Sequence, residues 1–222
     1  MKIIHLLMAC LLAVLLQTNA VAATYTFVGP TYPNPMPYTA PCAIPGCANF
    51  TMAMQQTGSF TTALPLPPNL NLAFIEGLIQ TYSFNDGIIQ YSSADAQSKV
   101  LFAQVSTDAA GNIISENIDI QRWQTANHSV NDRLDTLSIN LGSFHNMYCQ
   151  NIGAPDNCVL ANNDASSSFA FAHSNNAWTT NLAPVILGGA VTSVPTFGEW
   201  GSLILSLLMV TAGWGMAGRR RG

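Results

Sequence analysis

The sequence predicts an all-β fold, an antiparallel β-sandwich with an N-terminal signal helix and a C-terminal transmembrane helix. Three observations predict it. Short runs rich in β-branched and aromatic residues recur through the middle of the 222-residue chain, punctuated by Gly, Pro and Asn. No long stretch before the C-terminal tail keeps a helical period. Charged residues make up only 8% of the chain, so Ser, Thr, Asn and Gln supply most of its polarity, as suits an extracellular β-protein.

The first element is a signal peptide over residues 1–23. Lys2 gives a small positive start, Ile3 to Leu16 is almost unbroken apolar sequence, and Ala20-Val21-Ala22-Ala23 offers small residues for cleavage after Ala22 or Ala23. Leu7-Met8-Ala9-Cys10 has the look of a lipoprotein signal, but the sequence after Cys10 stays apolar where a lipoprotein would turn polar. Residues 24–193 form the β-sandwich domain, long enough for one full core. Its bases are Lys99, Arg122 and Arg133, set against ten acids, for a net charge of three minus ten. So few cations cannot neutralise a phosphate backbone, which excludes nucleic acid as a partner.

Four cysteines follow the signal: Cys42, Cys47, Cys149 and Cys158. An even count in an exported chain reads as disulfides, with three possible connectivities. Proximity favours Cys42–Cys47 and Cys149–Cys158, each closing a turn-rich loop. A four-Cys zinc site is the rival, with spacings wider than its usual pairs.

Within the domain, Tyr25–Val28 reads as a first strand and Pro30–Pro45 as loop. Phe50–Met54 and Ser59–Thr62 read as short strands. Ala63–Leu70 carries three prolines and cannot be a central strand. Leu72–Leu78 is ambiguous, with a short helical turn as one reading. Gln80–Phe84 and Ile88–Tyr91 flank Asn85-Asp86-Gly87, a turn suited to positive φ. Val100–Val105 and Ile113–Trp123 flank a second turn, Thr107–Asn112. Asp135–Asn140 and Ser168–Ala172 are further alternating runs.

Residues 194–222 are the most specific segment. Val194-Pro-Thr-Phe-Gly-Glu-Trp-Gly201 precedes an apolar stretch, Ser202 to Ala217, and then Arg219, Arg220 and Arg221. A bilayer-spanning helix takes roughly 17 apolar residues or more, so the stretch just suffices. An arginine cluster beyond it stays cytoplasmic. This order of motif, span and basic end resembles the PEP-CTERM class of bacterial sorting signals. It is most similar to the IPTL-CTERM variant: Pro195, Thr196, Trp200 and Gly201 match, with Val194 and Phe197 in place of Ile and Leu. The resemblance implies processing by an exosortase-type membrane peptidase, with transient anchoring through the C-terminal helix. An ordinary single-pass anchor is the plain alternative.

The middle domain resembles exported domains that precede such tails. The matching segments are Tyr25–Gly29, Gly58-Ser-Phe-Thr61, Leu66–Leu70, Ser83–Gly87 and Val105–Ile113. This second resemblance implies no particular activity.

The remaining residues offer little chemistry. His128, His145 and His173 lack metal-ligand spacing. Asp108–Asn112 with Asp119 could offer oxygens to calcium, but lacks the EF-hand pattern and reads as an Asx-stabilised turn. Ten acids always allow a glycosidase-like pair, and the sequence selects none. No Gly-x-Ser-x-Gly elbow exists, and Ser143 beside His145 is too loose a pattern to count. Tyr32, Tyr38, Tyr91, Trp123 and Trp178 could stack on sugars, but read first as core. The expectation is therefore a non-enzymatic, exported or envelope-associated protein with no catalytic, cofactor or metal residues. The alternatives are a module binding carbohydrate or extracellular polysaccharide, and an extracellular hydrolase.

Overall fold

A computed structural model describes residues 21–39, 47–153, 155–173 and 178–184. The signal helix, the transmembrane helix and the whole sorting motif lie outside the described residues, as does Cys42.

The described chain is nearly all β, built of two antiparallel sheets packed face to face. The first sheet has the order β12-β1-β2-β4-β5. It comprises β1 (Val21–Thr31), β2 (Gln55–Thr62), β4 (Ile79–Asn85), β5 (Gln90–Ser92) and β12 (Trp178–Pro184). The second runs β10-β9-β8-β7-β6-β3, with β11 also on β9. Its strands are β3 (Ala73–Phe74), β6 (Ser98–Thr107), β7 (Ile113–Trp123), β8 (Arg133–Ile139), β9 (Gly142–Gly153), β10 (Asn157–Asn162) and β11 (Ser168–Phe171).

Alternation puts one set of side chains between the sheets. Tyr25, Phe27, Phe60 and Phe84 from the first sheet meet Val105, Ile118, Ile120, Leu137 and Ile139 from the second. Phe60 stacks on Tyr25 at 5.0 Å and meets Trp178 edge-on at 5.5 Å. A separate cluster of Trp123, Leu134 and the Cys149–Cys158 disulfide, whose Cα atoms are 5.7 Å apart, closes the β9–β10 end.

Both expected hairpins form. At the second, Asp108 Oδ1 accepts the N–H groups of Ala110 and Asn112, both at 2.8 Å. Gly111 takes φ +83, and a Cβ there would lie 2.7 Å from the Leu66 carbonyl oxygen, so the turn requires glycine. The first hairpin is wider than its sequence suggests. Asn85 pairs with Gln90, and Asp86 turns the loop by accepting from the N–H groups of Ile88 and Ile89. Phe50–Met54 is a turn, not the expected strand. Met54 N–H donates to the Thr51 carbonyl, Phe50 is buried against Tyr32, and Met52 is exposed. In the ambiguous segment the helical turn forms as a 3-10 turn at Glu76–Leu78, preceded by the short strand β3.

The first strand begins earlier than Tyr25. Ala23 is fully buried and pairs with both Thr62 and Leu182. Cleavage after Ala22 would retain that core residue, and cleavage after Ala23 would remove it.

Candidate functional site

The polar side chains that converge in this fold are buried between the sheets. Strand β2 turns Gln56 inward ahead of Phe60, and β9 turns Ser143 and His145 inward together, two residues apart. Gln56, Asp86, Asp135, Ser143 and His145 are each at most 2% exposed.

Their hydrogen bonds cross the interior. Gln56 Nε2 donates to the Ser138 carbonyl at 3.1 Å and to Ser143 Oγ at 3.0 Å, linking one sheet to the other. Ser143 Oγ lies 3.0 Å from the Tyr32 hydroxyl, which donates to the Asp86 carbonyl at 2.9 Å. Asp86 also accepts the Tyr91 hydroxyl at 2.9 Å. On the other flank, His145 Nδ1 lies 2.7 Å from Asp135 Oδ1. That oxygen also accepts from Gln124 Nε2 and the Asn146 N–H, both at 2.9 Å.

Burial governs the titration of the cluster. It pushes the Asp86 carboxyl up to about 6, against the N–H groups of Ile89 and Ile88 and the Tyr91 hydroxyl, with the nearby Asp135 charge adding to the rise. Burial raises the Tyr91 phenol well above its ordinary value, reinforced by the Asp86 and Asp135 charges. Burial raises Tyr32 too.

The other residues singled out in the sequence do not converge. His128 stacks on Trp123 at 5.1 Å, and His173 faces the Asn140 carbonyl at 3.2 Å on the surface. Asp108 spends its oxygens on its own turn, and Asp119 lies well down β7, pairing with Phe102 and Ser138. Among the described residues no group of three His, Cys, Asp or Glu could hold a metal ion. Tyr32, Tyr91 and Trp123 are interior, Trp178 packs on the core, and Tyr38 is half-buried. Two shallow grooves flank Lys99. One, of about 260 Å3, is lined by Glu76, Tyr82 and Ser93; the other, of about 150 Å3, by Trp123, His128 and Asp156. Both fall below the roughly 300 Å3 at which small-molecule sites usually begin. The sequence reading named His145 and Ser143 but missed Gln56, Asp86 and Asp135 as their company, because no sequence spacing shows which strands the fold brings together; Gln56 and Ser143 lie 87 residues apart.

Residues 192–221 match the model of the IPTL-CTERM motif. Signals of this kind are processed by an exosortase-type enzyme, and they point to an exported, envelope-associated protein. No curated protein and no solved structure matches the chain. Among the described residues no helix is long and apolar enough to cross a membrane.

Proposed function

We propose that this is a non-enzymatic β-sandwich protein of the cell envelope or exterior, delivered by its N-terminal signal and processed through its C-terminal tail. The observation that carries the reading is the IPTL-CTERM match over residues 192–221, which takes in the motif, the apolar stretch and the arginines. Proline disfavours the helical form at the residue before it, so a Val194-Pro195 sequence is compatible with the extended substrate a protease groove accepts. The apolar stretch fixes the motif at the membrane face, and Arg219–Arg221 resist being drawn into lipid. The role proposed for the domain is structural. In support, the two carboxylates whose charges reach each other, Asp86 and Asp135, are both fully buried and bonded within the fold. Hydrolases of glycosides need such a pair in an open cleft.

Replacing Pro195 or Trp200 tests this in the native host. The expected outcome is an unprocessed precursor that stays in the membrane fraction. Normal processing of both variants would refute recognition through the motif.

A further inference from the structure

We propose that the outer face of the second sheet binds an extended, uncharged polysaccharide, held between two groups of phenylalanines over a floor of Asp119, Ser138 and Gly142. The proposal goes beyond the structural role and does not depend on the fate of the tail. Residues paired directly across antiparallel strands share a face. The register therefore draws one row across five strands: Phe102 on β6, Asp119 on β7, Ser138 on β8, Gly142 on β9 and Phe171 on β11. Their strand neighbours Ala103, Ile118, Leu137 and Ala170 are buried, so alternation turns the row outward. Four strand spacings, about 19 Å, separate its ends.

Each end is aromatic. Phe102 meets Phe74 edge-on at 5.4 Å, and Phe74 is 65% exposed. At the other end Phe171 meets Phe144 at 6.0 Å and Phe169 at 5.5 Å. Between the ends the floor stays low. Ser138 and Gly142 are buried, and a Cβ at Gly142 would strike the Ala170 carbonyl oxygen, so no side chain can rise from that position.

Charge and hydrogen bonding select the occupant. Asp119 Oδ1 is covered and bonds to nothing among the described residues. An acceptor left without a donor is costly, and a ligand hydroxyl supplies one once the broad carboxylate torsion turns an oxygen toward the ligand. The row holds that one carboxylate and no cation. Lys99 is spent on the Pro155 carbonyl, Arg122 on Asp95 and Arg133 on Asp164, so an anionic chain would meet repulsion with nothing to pair it. A second copy docked by a two-fold axis through the row would bury Asp119 against Asp119. A bilayer would take the same charge into lipid. A neutral polysaccharide fits both surfaces: its C–H ring faces pack on the phenylalanines, and its hydroxyls reach Asp119 and Ser138. The straight row across the strands calls for a chain that is extended over its length.

The test is native affinity electrophoresis of the protein recovered from its host, in gels cast with hydroxyethyl cellulose, with glucomannan, or with anionic polygalacturonate. The two neutral polymers should retard the wild-type chain, and polygalacturonate should not. Phe74→Ala combined with Phe171→Ala removes two exposed rings and should weaken the retardation about tenfold, at roughly 0.7 kcal/mol per ring contact. The variant's unfolding midpoint, measured alongside, shows that it is folded. Absence of retardation by both neutral polymers would overturn the proposal, as would retardation by polygalacturonate alone or retardation undiminished in the folded double variant. A wild-type dimer that the double variant dissociates, seen by sedimentation, would give the face to a second copy and overturn it as well.

Discussion

Between β1, β2 and β7 the interior is filled by Tyr25, Phe27, Phe60, Ile118 and Ile120, while toward β5, β8 and β9 it holds Asp86, Tyr91, Asp135, Ser143 and His145. In the first region adhesion comes from buried apolar area and ring contacts, which are tolerant of small shifts. In the second it comes from directed bonds such as Gln56 to Ser143 and Tyr32 to Asp86, each of which fixes a partner and a distance. Buried polar networks add little net stability when complete, and are costly when one member is lost. The contrast assigns the two regions different work: the apolar one holds the sheets together, and the polar one sets how they face each other.

The largest effect should come from the apolar region. Phe60→Ala removes a ring that is 1% exposed and touches Tyr25 and Trp178, and should cost about 3–5 kcal/mol in denaturant unfolding. A loss below about 1 kcal/mol would place the sheet-to-sheet adhesion elsewhere.

The polar region should instead reveal itself through pH. The Asp86 carboxyl is raised from 3.8 to about 6, so its stabilising contribution is full below the lower value and is lost as pH rises through the higher. At about 1.4 kcal/mol per unit, the protein should lose on the order of 3 kcal/mol through this group between pH 4 and pH 7. Asp86→Asn should flatten that slope, measured by urea unfolding across the range. An unchanged slope would mean that Asp86 is not the group responsible.

The disulfide cluster at the β9–β10 end belongs to neither region and gives a control. Cys149→Ser with Cys158→Ser opens a short loop and should cost about 2 kcal/mol, with the Asp86 slope unaltered. A changed slope would show that the clusters are coupled.

The same contrast explains what could be read in the sequence. The apolar region was legible because Gln80–Phe84, Val100–Val105 and Ile113–Trp123 alternate, and alternation presumes apolar residues inside. β9 broke that presumption. Its inward positions include Ser143 and His145, so Gly142–Gly153 does not stand out as an alternating run although it is the longest strand described. Gln56 was hidden for the same reason, as a polar residue at an inward position ahead of the expected strand Ser59–Thr62. The Cys149–Cys158 pair was legible because a turn-rich loop brings neighbours together. Phe50–Met54 misled because its alternation belongs to a turn, whose ends Phe50 and Met54 are both anchored at Tyr32. The tail was the most legible segment, since a motif, an apolar span and a basic end need no tertiary contacts to be recognised.

The central claim, that the sandwich is cargo of a tail-directed sorting system, is tested most directly by the C-terminal mass of the protein recovered from its native host. The account predicts a mature chain that retains β12 and lacks 20 or more residues of the C-terminal tail. A chain ending in intact Gly222, still membrane-bound through Arg219–Arg221, would contradict it and leave a plain anchor.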